Sequence, residues 1–76
     1  MSGGEASQRT ISIRANGQLH QVVQPCTVEG FLASCGLKPT QVVVEYNGEA
    51  LLREQFGRVE LREGDRIEVV LPVAGG

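Results

Sequence analysis

Residues 11–36 read ISIRANGQLHQVVQPCTVEGFLASCG, and the prediction of the fold depends chiefly on this stretch. In its first strand, apolar and polar residues alternate, which is typical of a strand with one buried face. Asn16-Gly17 follows, and both residues tolerate the positive φ angles of a two-residue type I′ turn. The second strand is predicted from Leu19 to Val23, because Pro25 cannot donate to a β-ladder. The first half of the stretch therefore predicts a β-hairpin.

The second half of the stretch predicts one short helix. Thr27 is a suitable N-cap, because its hydroxyl can accept a hydrogen bond from the first turn. Gly36 favours the left-handed conformation that commonly ends a helix. Apolar residues recur at positions i, i+3, i+4 and i+7, which share one helix face: Val28, Phe31, Leu32 and Cys35. We interpret this stripe as core, with Cys35 buried as a small hydrophobic residue.

The rest of the chain adds strands and turns. Residues 42–46 form a β-branched run that ends in a second Asn-Gly turn. Residues 51–61 predict a short edge strand and then an irregular or single-turn segment, and residues 63–65 predict another turn. In a final strand over residues 66–71, alternation places Ile67, Val69 and Leu71 toward the core. Pro72 ends this strand.

The order of elements is hairpin, helix, strand, short strand, strand. One helix crossing a mixed four- to five-stranded sheet buries both apolar faces. We therefore predict an α+β protein of β-grasp (ubiquitin-like) fold over residues 11–72, with the last strand beside the first. Residues 1–10 are expected to form a flexible extension, and residues 73–76 a flexible tail. Phe31 is predicted to pack from the helix against three sheet residues, namely Ile13, Val44 and Val69.

Composition argues against several classes of function. The net charge is −2 and the seven Lys and Arg residues are scattered, so no basic stripe is available for nucleic acid. The absence of a signal peptide or an apolar span predicts no membrane contact and a cytoplasmic location. Two cysteines and one histidine are too few for a metal site. We interpret His20 as a strand residue and Cys26 as a thiol without an activating neighbour.

The usual sites of catalysis are also missing from the sequence. It contains no glycine-rich phosphate loop and no Ser/His/Asp set, so an enzyme with its own active site is not expected. The acidic residues near the last turn are interpreted as a solvated face: Glu60, Glu63 and Asp65. The Gly75-Gly76 pair is more informative, because it follows a strand, a proline and two small apolar residues.

A glycine tail has chemical uses. Glycine has no Cβ, so such a tail can enter a narrow channel. Four extended residues reach roughly 13 to 14 Å, which is enough to enter another protein's active site. A free terminal carboxylate has a pKa of about 3.3 to 3.7, so it is ionised at neutral pH and is a poor electrophile. We expect a partner that holds ATP to activate it as an acyl adenylate.

Two segments resemble the ThiS family of thiamine-biosynthesis sulfur carriers. They are residues 42–56, VVVEYNGEALLREQF, and residues 61–76, LREGDRIEVVLPVAGG. The resemblance covers residues 11–76, and its most specific features are the Asn-Gly turn before Arg53-Glu54, the Glu-Gly-Asp turn and the terminal Val-Ala-Gly-Gly. Leu52 stands where family members commonly have proline.

The resemblance implies a cycle of reactions at Gly76. A ThiF-type adenylating enzyme would use ATP and Mg²⁺ to adenylate its carboxylate, while this chain binds no cofactor and no metal itself. Sulfur from a cysteine desulfurase, carried as a persulfide, would replace AMP to give a thiocarboxylate. Thiazole synthase would then take this sulfur. Tail residues would thread the partner's channel, namely Val73, Ala74 and Gly75.

Alternation in the last strand also predicts a partner face: Arg66, Glu68 and Val70, opposite the core-facing residues. Three other functions remain open at this point. The small subunit of molybdopterin synthase (MoaD family) shares the fold and the tail, although the compact link over residues 36–42 favours ThiS. A protein modifier would be joined to a lysine through Gly76. An interaction domain would have a tail that is never activated.

Overall fold

The computed structural model describes residues 9–72, and residues 1–8 and 73–76 lie outside the described part. The predicted flexible extension lies mostly in the first of these segments, and the predicted tail is the second. The elements follow in this order: β1 (Arg9–Ala15), β2 (Gln18–Gln24), α1 (Val28–Ser34), a 3-10 turn (Pro39–Gln41), β3 (Val43–Tyr46), β4 (Glu49–Leu51), a second 3-10 turn (Arg53–Gln55) and β5 (Arg66–Val70). β1 thus begins two residues before the predicted start of the domain.

Five strands form one mixed sheet in the order β2-β1-β5-β3-β4. β1 pairs antiparallel with β2, and β3 pairs antiparallel with β4. β5 lies at the centre, parallel to β1 and antiparallel to β3. With α1 packed on one face, this is the predicted β-grasp arrangement, and the last strand lies beside the first as expected.

Both Asn-Gly pairs form the tight turns that the sequence predicts. Asn16 and Gly17 have φ angles of 53° and 81°, and Asn47 and Gly48 have φ angles of 50° and 87°. Positive φ at both central residues matches the right-handed twist of the flanking strands. These turns set the register of β1 with β2 and of β3 with β4.

Helix α1 is capped as predicted but ends earlier than the apolar stripe. The Thr27 hydroxyl accepts a hydrogen bond from the Gly30 N–H at 3.0 Å, and Gly36 has a φ angle of 78°. Cys35 is the C-cap residue and is exposed, so the prediction of a buried Cys35 is wrong. The physical reason is length: the helix ends at Ser34, so the i+7 position no longer belongs to its apolar face.

The core lies between α1 and the sheet. It contains Phe31, Ile13 and Val44, and Val69 is partly buried against it, so Phe31 lies in the same core as these residues, as predicted. Phe56 and Leu61 are also core residues, although they come from the segment predicted to be irregular. No helix within residues 9–72 has both the length and the apolar character needed to cross a membrane.

Candidate functional site

The candidate site begins on the outer face of β5, the face turned away from α1. Arg66, Glu68 and Val70 are exposed, whereas Ile67 is buried and Val69 is half-buried. The predicted alternation of the strand is therefore confirmed for residues 66–70. It positions these three side chains on the sheet surface, immediately before the chain leaves the sheet.

An apolar row crosses the outer face at the end of β5. Val70 is 55% exposed and lies opposite Val43 of β3, which is 53% exposed. Leu52, 58% exposed, follows Leu51, whose register partner is Val44, so it continues the row beyond β4. We call these three exposed side chains the apolar row: Val43, Leu52 and Val70. Val43 and Leu52 are not predicted from the sequence as part of a partner face, although the alternation of residues 42–46 places Val43 on the other face of the strand from the buried Val42 and Val44.

Charged side chains flank the apolar row in pairs of like sign. Arg66 lies beside Arg14 of β1, and Glu68 lies opposite Glu45 of β3. Like charges directly opposite one another in a sheet are mildly destabilising. The face therefore combines apolar side chains with one basic and one acidic pair, which is a suitable composition for a protein partner with complementary charges.

The turn before β5 contains a buried carboxylate. Asp65 is only 8% exposed, so its interpretation as part of a solvated face is wrong. Its oxygens accept hydrogen bonds from the Tyr46 hydroxyl at 2.6 Å, from the Arg62 N–H at 2.8 Å and from the Asn47 side chain at 3.2 Å. Burial, and then the hydrogen bond to Asp65, raise the pKa of Tyr46 to about 12. This end of β5 is fixed by a satisfied polar cluster.

The other end of β5 pairs with β3 on one side and is held by the first hairpin turn on the other. The side-chain amide of Asn16 donates to the Val69 carbonyl at 3.1 Å and accepts from the Val69 N–H at 2.7 Å. The sequence predicted Asn16 only as a turn residue. We call this two-bond contact the Asn16 amide bridge.

Beyond the bridge, β5 ends at Val70 and Leu71 is 52% exposed. The prediction that Leu71 faces the core is wrong, because strand alternation stops with the strand. Pro72 is the last described residue. The predicted working residues of the tail lie outside the described residues: Val73, Ala74, Gly75 and Gly76.

The two thiols and the histidine lie away from this face, around a groove between β2 and α1. Burial raises the pKa of the Cys26 thiol, which makes it a weaker nucleophile at neutral pH. The His20 ring packs edge-on against Phe31, with ring centroids 5.5 Å apart. His20 is thus a strand residue, as predicted. Within residues 9–72 no cluster of three or more His, Cys, Asp or Glu side chains is arranged to hold a metal ion.

The five-stranded mixed sheet crossed by one helix, with a central β5 that leads to the tail, defines a β-grasp domain of the ubiquitin-like class. A ThiS structure from Geobacter metallireducens supports this assignment. It covers 87% of this chain and 100% of its own, with a TM-score of 0.74 and 29% sequence identity.

Sequence comparisons then identify the family. The model of the ThiS family matches residues 10–76. The sulfur carrier protein ThiS of Bacillus subtilis is 42% identical over 50 residues, which are 66% of this chain and 76% of that protein. The chain belongs to the ThiS family.

The chain is also similar to part of two longer proteins. A thiazole synthase from Magnetococcus marinus is 39% identical over 66 residues, which are 87% of this chain. A thiazole synthase from Paramagnetospirillum magneticum is 31% identical over 61 residues, or 80% of this chain. The matched regions are 20% and 19% of those two proteins, so the chain spans about a fifth of their length.

Proposed function

We propose that this ThiS-family sulfur carrier of thiamine biosynthesis is loaded with sulfur at the carboxylate of Gly76. A carboxylate oxygen attacks the α-phosphorus of ATP in a separate ThiF-type adenylating enzyme, which holds Mg²⁺, and pyrophosphate leaves. The terminal sulfur of a persulfide, supplied by a cysteine desulfurase, then attacks the acyl carbon and AMP leaves. A thiol then attacks the donor's sulfur in the resulting S–S bond, forms a new disulfide with it and releases the thiocarboxylate. The chain is the carrier in this scheme, and its partners perform the catalysis.

The observation that carries the proposal is that the family match continues through Gly76, beyond the end of the folded strands. β5 ends at Val70, and exposed Leu71 and Pro72 lead out of the sheet. The chain from 73 to 76 is long enough to reach roughly 13 to 14 Å when extended. Glycine at the last two positions suits a narrow channel, since neither residue has a Cβ.

The outer face of β5 is the proposed docking surface for the adenylating enzyme. The apolar row provides anchors near the point where the tail begins, and Arg66 and Glu68 provide polar contacts beside the row. Apolar centres with polar rims are common in protein interfaces. The like-charged pairs on this face also favour a partner, because complementary charges would relieve their mutual repulsion.

The proposed acceptor is a thiazole synthase of the ThiG type. This choice is supported by the two thiazole synthases that contain a region similar to this chain. Family membership favours this route over the molybdopterin synthase subunit, the protein modifier and the interaction domain. A modifier would differ by forming isopeptide conjugates with lysine. A cytoplasmic location remains a prediction.

The direct test is the intact mass of the protein purified from its own cells. A loaded chain should be heavier by the difference between sulfur and oxygen, and fragmentation should locate that difference at Gly76. Treatment with a thiol should leave the mass unchanged, because a thiocarboxylate contains no S–S bond. Sulfur located on Cys26 or Cys35, or a mass that never includes the additional sulfur, would contradict the proposal.

A further inference from the structure

The side chain of Asn16 continues the β1–β5 ladder after the backbone of β1 has ended. The Arg14 N–H donates to the Asp65 carbonyl at 2.9 Å. Two residues later, the Asn16 N–H donates to the Ile67 carbonyl at 3.0 Å. The next acceptor in this series is the Val69 carbonyl, because alternate residues of a strand face the same neighbour. By then the chain has turned into the hairpin, so no backbone N–H of β1 follows.

The Asn16 amide takes the place of the missing backbone groups. Its Nδ2 donates to the Val69 carbonyl, and its Oδ1 accepts from the Val69 N–H. A primary amide carries a donor and an acceptor side by side, as a peptide group does, so one side chain can satisfy both groups. The backbone of Asn16 is itself fixed by the positive φ of the turn. Val69 is therefore bonded to a residue whose own backbone is hydrogen-bonded to β5.

The position of this contact matters because Val69 is the last half-buried residue before the root of the tail. We call the next three residues, Val70, Leu71 and Pro72, the root of the tail, and all three are exposed. Among the hydrogen bonds of residues 9–72, the Asn16 amide bridge is the last one from the β1 side of the sheet to β5 before the root of the tail. On the other side of the strand, β3 still pairs with Val69 and Val70, so the bridge holds the β1 side of the end of β5.

We propose that Asn16 is a positioning residue for sulfur loading, a role that rests on the function proposed above. Its amide bridge holds the end of β5 in the orientation from which the chain enters the adenylating enzyme. Asn16 itself touches no reacting atom. Loss of the bridge allows more orientations of the tail's root, and the fraction competent to bind falls. The apparent affinity for the enzyme falls by the same fraction.

Asn47 provides a matched control within the chain. It occupies the same position in the other Asn-Gly turn, with φ of 50° against 53° for Asn16. Its side chain bonds Asp65 and the Arg66 N–H, at the opposite end of β5. Replacing either asparagine with glycine keeps the turn, because glycine adopts positive φ without strain. The two variants remove side-chain hydrogen bonds from opposite ends of the same strand.

The experiment measures steady-state loading of wild type, Asn16→Gly, Asn47→Gly and Asn16→Asp, with a ThiF-type enzyme, ATP, Mg²⁺ and sulfide. Loss of two modest hydrogen bonds should lower kcat/KM about tenfold for Asn16→Gly. The change should lie in KM, with kcat retained, and Asn47→Gly should keep the wild-type kcat/KM. Asn16→Asp retains the acceptor for the Val69 N–H but loses the donor, so its KM should be intermediate. Amide hydrogen exchange at Val69 should be faster in Asn16→Gly and unchanged in Asn47→Gly.

Two results would overturn the inference. One is a kcat/KM for Asn16→Gly equal to that of wild type. The other is an equal loss in both glycine variants, which would indicate general destabilisation. If Asn16→Gly does not fold, the KM of Asn16→Asp decides the question: a value above that of wild type supports the inference, and a wild-type value overturns it. If the wild-type chain is not loaded with sulfur at all, the proposed function is refuted. In that case, unchanged amide hydrogen exchange at Val69 in Asn16→Gly would separately refute the Asn16 amide bridge.

Discussion

The two ends of β5 are held by different contacts and have different surroundings. At the start of the strand, Asp65 is buried and accepts three hydrogen bonds. At its end, β3 pairs with one side of the strand, one amide side chain holds Val69 on the β1 side, and the next two residues, Val70 and Leu71, are more than half exposed. Buried polar groups with all partners present stabilise a unique fold. We infer that the first end serves stability and the second serves the partner.

Truncating a large side chain in the core between α1 and the sheet, against which β5 packs, should have the largest effect on stability. Phe31 is 5% exposed and packs between helix and sheet, so Phe31→Ala should lower the free energy of unfolding by about 3 to 5 kcal/mol. Cys35→Ala, at the exposed end of the same helix, should change it by less than about 0.5 kcal/mol. Chemical denaturation measures both values. Equal losses would mean that Cys35 is buried after all.

Asp65→Asn should destabilise the start of β5, which the hydrogen bonds of Asp65 hold in place; we call this the anchored end. The new amide group presents donors where the carboxylate accepted bonds, so at least one buried donor loses its partner, at a cost of about 1 to 3 kcal/mol. Glu68→Gln, an exposed change on the same strand, should be close to neutral. Denaturant midpoints compare the two, and a neutral Asp65→Asn would remove the distinction between the ends.

The contrast was only partly predictable from the sequence. The Asn-Gly turns, the strand alternation and the Thr27 cap are local, since their partners lie within a few residues. Asp65 was misread because its partners Tyr46 and Asn47 are 19 and 18 residues away. The Asn16 amide bridge joins residues 53 apart, so no local pattern indicates it. Side-chain hydrogen bonds across a sheet depend on strand order, which only the folded chain defines.

The pKa of Tyr46 provides a pH test of the same anchored end. The folded pKa is raised from 10.0 to about 12, so the folded chain keeps the phenol proton more tightly than the unfolded chain. This contribution to stability is complete below pH 10 and is lost as the pH rises from 10 to about 12. The chain has one tyrosine and no tryptophan, so phenolate absorbance follows this group directly. Asp65→Asn should lower the pKa, whereas an unshifted wild-type titration would contradict the account.

Val70→Asp should have little effect on stability and a clear effect on binding. Val70 is 55% exposed, so the fold loses little apolar contact, while the apolar row acquires a charge. We expect at least about a tenfold loss of affinity for the adenylating enzyme, as is usual when an interface anchor is lost. Leu19→Asp, on the distant edge strand β2, is the matched control because Leu19 is also exposed. Unchanged affinity of Val70→Asp would exclude this face as the docking surface.

Deletion of Gly76 is the sharpest test of sulfur loading at the terminal carboxylate. The shorter chain should keep its denaturation midpoint, because β5 already ends at Val70. Its carboxylate is withdrawn by about 3.3 to 3.6 Å, whereas reaction requires atoms held about 3 to 3.5 Å apart. Both forms are incubated with the adenylating enzyme, ATP, Mg²⁺ and sulfide, and their intact masses are recorded. Only the full-length chain should exchange oxygen for sulfur. Equal loading of the truncated chain, or no loading of the full-length chain, would refute the proposed function.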